Sequence, residues 1–231
     1  MTQPSSNKLT LLDWLDTQED NMVTLLGDLV NIDSNSFDKA GVDRVANRLG
    51  EFFDEQSIPF ETIPIATHGD GMRAIVAGGN GNRPILLCGH RDTVFPIGEV
   101  EKRPFEVRDG KAYGPGVADM KPGLVINAFI LAAFNKFGGH PNPLVGLFTG
   151  DEEIGSPTSQ DVIIAEAKKA RLAFNSEPGR PSGNIVTKRK GGIFKFSGQP
   201  GRPGGLAGLA GWLGLRASQP GPLGWQGRPA M

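Results

Sequence analysis

The chain has 231 residues, with 24 Lys and Arg against 25 Asp and Glu and a formal net charge of −1. That length suffices for one sizeable domain or two small ones, and the balanced charge disfavours nucleic-acid binding and polybasic attachment to a membrane. No apolar run approaches the roughly 18 residues that would span a bilayer. Cys88 is the only cysteine, which excludes an internal disulfide. The polar N-terminus lacks the plan of a signal peptide, so a cytoplasmic location is the expectation.

Apolar residues in the N-terminal part recur at helical spacing and predict three helices, over residues 9–16, 19–32 and 40–56. Pro59 ends the third helix, because proline cannot continue one. Two strands are predicted next, over residues 60–65 and 73–77.

The rest of the chain predicts strands alternating with helices. The short apolar runs at residues 84–88 and 144–148 are typical of strands buried on both faces of a parallel sheet. The other predicted elements are helices over residues 117–137 and 160–170, and a strand over residues 172–175. The fold class is therefore α/β: a layered domain with a central, largely parallel or mixed sheet flanked by helices.

Polar clusters follow the predicted strands at the point where each strand ends. They occupy residues 89–94, 149–156 and 176–178, and a fourth cluster, residues 114–121, covers the start of the long helix. In open α/β sheets, ligands bind at the carboxyl ends of the strands. A histidine and several carboxylates gathered there predict a metal site of the His-plus-carboxylate zinc type.

The spacing inside these clusters suits such chemistry. His90 and Asp92 are two residues apart, so in extended chain both side chains point the same way, and Asp92 can orient a metal-binding His90. Of the adjacent Glu152 and Glu153, one can bind a metal while the other acts as a general base. Each cluster alone is more often a solvated helix start or a strand-end residue. Four in this order favour a metal-dependent hydrolase.

The motifs Gly-His-x-Asp-Thr-Val, Gly-x-Ala-Asp-Met-Lys and Asp-Glu-Glu-x-Gly-Ser, followed by Glu-Pro, resemble the M20 family of zinc peptidases and deacylases. The similarity runs from about residue 10 to about residue 197. Residues 92–116 are most similar to the glutamate carboxypeptidase branch, which releases C-terminal glutamate-type residues from peptides or N-acyl groups. The resemblance implies a zinc carboxypeptidase or aminoacylase whose substrate is a small peptide or N-acyl amino acid.

The resemblance also implies the metal ligands. Asp119 would bridge two zinc ions, His90 and Glu177 would complete the protein ligands of one of them, and Glu153 would bind the other. The second zinc of the family needs a further histidine, for which neither His68 nor His140 fits the family pattern. Two zinc ions are therefore expected for a full-length subunit and one firmly bound zinc for this chain.

The catalytic roles implied by the resemblance fall on Glu152, as the general base, and on Asp92, which orients His90. The resemblance further implies a cis peptide bond between Asp119 and Met120. Arg91 stands where many relatives have Met or another residue.

The resemblance assigns residues 1–197 to the N-terminal part of an M20 catalytic domain, without the lid and dimerisation domain that makes the family homodimeric. Residues 198–231 are rich in Gly and Pro and contain no acidic residue, which predicts a disordered, aberrant tail of the kind a frameshift produces. The alternative to an active hydrolase is an inactive truncated fragment that retains only partial metal binding, and negligible turnover is the expectation for this chain.

Overall fold

Three helices open the part of the chain that the structure describes. The computed structural model describes residues 10–81 and 83–179. The first helices are α1 (Leu11–Asp16), α2 (Glu19–Val30) and α3 (Lys39–Glu55). Thr10 begins α1 with a capping box, in which its hydroxyl accepts from the Asp13 amide and the Asp13 carboxylate accepts from the Thr10 amide. All three helices lie where the sequence predicts them, with ends that differ by a residue or two.

A mixed five-stranded sheet forms the centre of the fold. The strands are β1 (Phe60–Ile63), β2 (Gly71–Val76), β3 (Ile85–His90), β4 (Glu106–Arg108), β5 (Lys111–Tyr113), β6 (Leu144–Thr149) and β7 (Leu172–Asn175). The central sheet has the order β1-β2-β6-β3-β7, while β4 and β5 form a separate antiparallel hairpin. Strand β3 is parallel to both of its neighbours, β6 and β7, whereas β2 is antiparallel to β1 and β6. This mixed sheet confirms the predicted fold class.

Helices cover both faces of the sheet. The remaining helices are α4 (Glu99–Lys102), α5 (Lys121–Lys136) and α6 (Gln160–Lys169). Side chains of α2, α3 and α5 form the larger core with alternate sheet residues such as Leu87 and Phe148. The opposite face, with Leu86 and Val145, packs against Val162 of α6. Adjacent strand residues thus point into different layers, as the two-residue period of a strand requires.

The long helix begins four residues later than the sequence predicts. Residues 117–120 form turns, and α5 starts at Lys121 with Pro122 in its first turn. Proline is favoured in the first turn, where its missing N–H would have no intrahelical partner. The apolar residues before it extend the helical pattern without belonging to the helix. Asp119 consequently lies in the loop that precedes the helix, and its peptide bond to Met120 is cis, which confirms the expectation from the resemblance.

Helix α4 and the β4–β5 hairpin were not predicted, because elements of three or four residues are too short to show a period. The proposed domain boundary at residues 197 and 198, with the tail that follows it, lies outside the described residues and stays a prediction. Within the described part of the chain, every helix is too short or too polar to cross a bilayer.

Candidate metal centre

Three parallel strands end at the same edge of the sheet. Because β6 and β7 run parallel to β3 on either side of it, the loops after these strands emerge close together. His90 is the last residue of β3, Glu152 lies in a 3₁₀ turn three residues after β6, and Glu177 follows β7 by two residues. This edge therefore collects the candidate ligands and the candidate base from distant parts of the sequence.

A glycine lets the fourth segment approach the same edge. Gly123 lies in the first turn of α5, and a Cβ atom there would come within 2.3 Å of the Ser176 carbonyl oxygen. Only glycine fits at such a distance. The start of α5 thus packs directly against the segment that carries Glu177, and the loop before it brings Asp119 to the site.

His90, Asp119 and Glu177 are the candidate ligands and are called the metal-ligand cluster below; one potential ligand atom from each residue lies within 4.8 Å of the others. His90 Nε2 is 3.3 Å from Asp119 Oδ1 and 3.5 Å from Glu177 Oε1. Glu152 Oε2 is 3.7 Å from the same nitrogen. One imidazole nitrogen and carboxylate oxygens at these distances are the donor set of a His-plus-carboxylate zinc site.

The buried polar atoms of the cluster support this interpretation. Among the described residues, His90 Nε2 and Asp119 Oδ1 are inaccessible to solvent and make no hydrogen bond. A buried polar atom without a partner costs free energy, and native structures normally supply one. A divalent cation would satisfy both atoms and relieve the repulsion between the carboxylates. The residues present therefore fit a metal ion.

The side chain of Asp92 contacts several of the segments that form the centre. Its carboxylate accepts hydrogen bonds from the amides of Glu152 and Glu153, each at 3.1 Å, and from the Ser36 hydroxyl at 2.6 Å. Asp92 Oδ1 is also 3.2 Å from His90 Nδ1, which lies 3.0 Å from the Asp92 carbonyl oxygen. A proton on Nδ1 leaves Nε2 as the metal-binding nitrogen. One carboxylate thus orients the histidine and ties the loop after β6 to the end of β3.

Glu153 is placed differently from the other candidate ligands. It is buried, with 8 % of its surface exposed, and the cluster of mutually close ligand atoms does not include it. Glu152, in contrast, keeps 39 % of its side chain exposed. The adjacent glutamates therefore differ in their access to water, which is the asymmetry expected of one ligand and one base.

Burial and mutual repulsion shift the protonation of the centre. Burial raises the pKa of Glu153 to about 8 and that of Glu177 to about 7, and the neighbouring carboxylates of Asp119 and Glu152 add to both shifts. Burial alone would lower the pKa of His90, but the carboxylates of Asp119 and Asp92 outweigh it and hold that pKa well above its usual range. Without a cation, the centre thus retains protons that a metal ion would displace.

Arg91 and Lys121 are two buried cationic side chains near the centre, and their burial was not predicted from the sequence. Arg91 is fully buried and donates to the carbonyl oxygens of Val42, at 3.3 Å, and Asp70. Lys121 donates to the carbonyl oxygens at the end of α2 and just beyond it, and burial lowers its pKa to about 7. Arginine and lysine are almost never fully buried, and backbone acceptors leave no sequence signature.

The structural roles of Asp151 and Ser36 were also not predicted, although a local sequence pattern could have indicated that of Asp151. Asp151 accepts hydrogen bonds from the backbone amides and hydroxyls of Thr158 and Ser159, which lead into α6. An acidic residue shortly before a helix with Thr-Ser at its start could have indicated this anchoring. The contact of Ser36 with Asp92 joins segments 56 residues apart, and no local pattern marks it.

The remaining histidines and the cysteine lie apart from the centre. His68 and His140 are in loops and do not belong to the metal-ligand cluster. Cys88 lies within β3, and burial raises the pKa of its thiol to about 11. A protonated, partly buried thiol packs as a small apolar side chain.

Comparison with known families decides the family of the chain. The model of peptidase family M20/M25/M40 matches residues 86–206, which is more than half of the sequence and includes every residue of the metal-ligand cluster. The chain belongs to this family. Membership confirms the resemblance found in the sequence motifs, and it makes the protein a relative of metal-dependent hydrolases.

Individual proteins of known name are also similar to this chain in sequence. Carboxypeptidase G2 of Pseudomonas sp. (strain RS-16) is 33% identical over 161 residues, which cover 68% of this chain and 38% of that protein. Succinyl-diaminopimelate desuccinylase of Burkholderia ambifaria (strain MC40-6) is 38% identical over 126 residues, covering 50% of this chain and 32% of that enzyme. The chain thus spans about a third of the length of these relatives.

The fold agrees with the family assignment. The crystal structure of the M20 family metallo-carboxypeptidase Sso-CP2 from Sulfolobus solfataricus matches with a TM-score of 0.59 and 21% sequence identity. The match covers 71% of this chain and 39% of the other. At this identity the similarity concerns the fold, which is that of an M20 catalytic domain.

Proposed function

We propose that this chain carries the zinc site of a hydrolase that cleaves peptide or N-acyl amino-acid amide bonds and releases C-terminal glutamate-type residues. The observation that carries the proposal is the metal-ligand cluster, in which His90 is buried and His90 Nε2 and Asp119 Oδ1 make no hydrogen bond, next to the half-exposed carboxylate of Glu152. One relative is named a carboxypeptidase and another a desuccinylase. Both names favour hydrolysis of an amide bond formed by the amino group of an amino acid.

The residues of the centre would have different chemical roles. His90, Asp119 and Glu177 would hold one zinc ion, which supplies Lewis-acid chemistry by activating water and polarising the scissile carbonyl. Glu152 lies close enough to the cluster to accept a proton from water and is exposed enough to pass it to the leaving amine. Asp92 keeps His90 in the orientation and tautomer that metal binding requires.

Glu153 is proposed as a ligand of a second zinc, with Asp119 shared between the two ions. Within the described residues this second site has only these two protein ligands, whereas the first has three. A zinc ion normally takes three protein ligands and water in a catalytic site. We therefore expect the second ion to bind weakly, and turnover by this chain to be negligible.

The test uses the chain loaded with zinc. Isothermal titration with N-acetyl-glutamate is expected to show binding that disappears when zinc is removed by a chelator. Glu152→Gln is expected to keep zinc and ligand binding but to abolish any residual hydrolysis, because it removes the general base. Glu101→Gln, an exposed glutamate on α4, serves as the control. Binding that is independent of zinc, or unchanged hydrolysis in Glu152→Gln, would overturn the proposal.

A further inference from the structure

Lys121 is a buried cation that the proposed chemistry does not use. It is the first residue of α5, and only 1% of its surface is exposed. Its ammonium group donates hydrogen bonds to the carbonyl oxygens of Leu29 and Ile32, each at 2.8 Å. The carboxylate of Asp33 attracts this charge, but it accepts its own hydrogen bonds from two backbone amides at the start of α4. Because burial of an ammonium group opposes folding, the presence of a lysine here calls for a contact that an apolar side chain cannot make.

The two acceptors of Lys121 lie at the C-terminal end of α2. Leu29 is in the last turn of this helix, which ends at Val30, and Ile32 follows just beyond. Carbonyl groups at the end of a helix lack intrahelical donors and carry a partial negative charge. An ammonium group has three N–H donors and suits two such oxygens. The hydrogen bonds therefore tie the start of α5 to the end of α2.

The backbone just after α2 also contacts the end of β3. The Thr93 amide donates to the Ser34 carbonyl oxygen at 2.8 Å, and the Ser36 hydroxyl donates to Asp92 at 2.6 Å. Lys121 binds the beginning of this same stretch of backbone. The stretch therefore connects the carboxylate that orients the histidine of the cluster with the start of α5.

Lys121 also borders the loop before α5, which carries Asp119. Its amide donates to the Gly116 carbonyl oxygen at 3.1 Å. A Cβ atom on Gly116, whose φ is +76°, would come within 3.2 Å of Lys121 Cδ, so the aliphatic part of the lysine lies directly against this loop. Contacts of both the main chain and the side chain of Lys121 thus limit the positions that the loop can take.

The position of the Asp119 carboxylate depends on this loop. Asp119 Oδ1 is buried and, among the described residues, accepts no hydrogen bond. The carboxylate of Asp92, in contrast, accepts from two amides and a hydroxyl. A displacement of the loop would therefore change the distance between Asp119 Oδ1 and His90 Nε2, which is 3.3 Å. A metal ion bound by both atoms requires that distance to be kept.

We propose that Lys121 is a positioning residue of the metal centre, whose hydrogen bonds to the end of α2 fix the loop that carries Asp119 and thereby strengthen zinc binding. This inference rests on the proposed function for the metal site, but not for the substrate. Loss of a group that orients a metal ligand typically lowers metal affinity by about 10- to 100-fold. Because Lys121 acts on the backbone of the loop, we expect an effect near the lower end, about 10-fold.

The experiment compares Lys121→Met, which has a similar length but no donor, with Asn135→Ala as the matched control. Asn135 lies near the other end of α5, and its side-chain amide donates to the carbonyl oxygen of Gln56 at the end of α3, at 2.9 Å. The control thus breaks an equivalent contact about 21 Å away along the same helix.

Zinc affinity is measured by competition with a chelator, and the absorption spectrum of the cobalt(II)-loaded chain reports the geometry of the ligands. Lys121→Met is expected to lower zinc affinity about 10-fold and to alter the cobalt spectrum. Asn135→Ala should change neither, although both variants lose a hydrogen bond that contributes to stability.

The outcomes separate the inference from the function on which it rests. Wild-type zinc affinity and cobalt spectrum in Lys121→Met would overturn the inference and leave the proposed function standing, as would an equal loss of affinity in Asn135→Ala. If the wild-type chain does not bind zinc, the proposed function is wrong and the inference falls with it. If Lys121→Met does not fold, Lys121→Gln, whose terminal nitrogen is one bond closer to the backbone, replaces it under the same criteria. Failure of both variants to fold would show that Lys121 serves the fold as a whole and would overturn the inference.

Discussion

Replacement of Asp92 by Asn tests how the centre is held together. The two side chains have the same shape, but Asn replaces one carboxylate oxygen by an NH2 group that can only donate. Asp92 Oδ1 faces the Glu152 amide and His90 Nδ1, whereas Oδ2 faces the Glu153 amide and the Ser36 hydroxyl. In either orientation of the Asn side chain, a backbone N–H therefore loses its acceptor and meets another donor.

The size of the effect follows from these contacts. One buried N–H left without an acceptor costs about 1–3 kcal/mol, and hydrogen bonds to a neutral oxygen are weaker than those to a carboxylate. Together these losses predict that Asp92→Asn lowers the free energy of unfolding by about 2–5 kcal/mol. Because the variant also loses the negative charge next to His90 Nδ1, which supports the orientation and basicity of the imidazole, zinc affinity is expected to fall about 10- to 100-fold.

Two assays measure these quantities separately. Urea unfolding of the metal-free chain gives the change in stability, and competition with a chelator of known affinity gives the change in zinc binding. Ser36→Ala is the control, because it removes one donor to Asp92 and leaves the carboxylate in place; about 1 kcal/mol of stability should be lost, with little change in zinc affinity. Wild-type zinc affinity in Asp92→Asn would refute the role assigned to this residue.

The remaining predictions concern the metal content, the pH dependence and a structural carboxylate. Elemental analysis after dialysis should find one zinc per chain, and two firmly held ions would contradict the three-ligand cluster as the only tight site among the described residues. Metal-free stability should fall as the pH rises from about 5 to 7, because the raised pKa values of Glu153 and Glu177 let the folded chain keep protons that the unfolded chain, with ordinary values near 4.5, has released. Thermal unfolding in a chelator at several pH values checks this sign, and rising stability over that range would show it to be wrong. Lys121, with its lowered pKa, acts in the opposite direction only above about pH 7. Asp151→Ala should cost about 2–4 kcal/mol in urea unfolding, since it removes the shared acceptor of four donors, whereas Asp161→Ala on the exposed side of α6 should cost far less.

Much of the fold could be predicted because its elements show a clear period or a buried run. The fully buried β6 and the strand Leu172–Asn175 lie where apolar runs indicated them. The predicted start of α5 was wrong because apolar residues of the preceding turn continue the helical pattern up to Pro122. The cis bond between Asp119 and Met120 was expected from family resemblance alone, since a sequence period carries no information about peptide isomers.

The candidate site was likewise predicted only in part. His90 and Glu177 could be predicted as candidate ligands because they lie at or just after the carboxyl ends of neighbouring parallel strands. The supports of the site could not, because Ser36, Arg91 and Asp70 act through contacts with segments far away in the sequence, often with backbone atoms. Such contacts depend on tertiary packing, which a local pattern of residue types does not encode.

The order of strands in the sheet has a kinetic consequence for metal binding. β3 lies between β6 and β7, so the cluster residues at 90, 119 and 177 meet only after strands distant in the sequence have paired. The unfolded chain therefore offers no local chelating segment, and such long-range pairing is slow to form. Zinc can only be captured by a sheet that has already assembled, so added metal should leave the refolding rate of the chain unchanged and slow its unfolding.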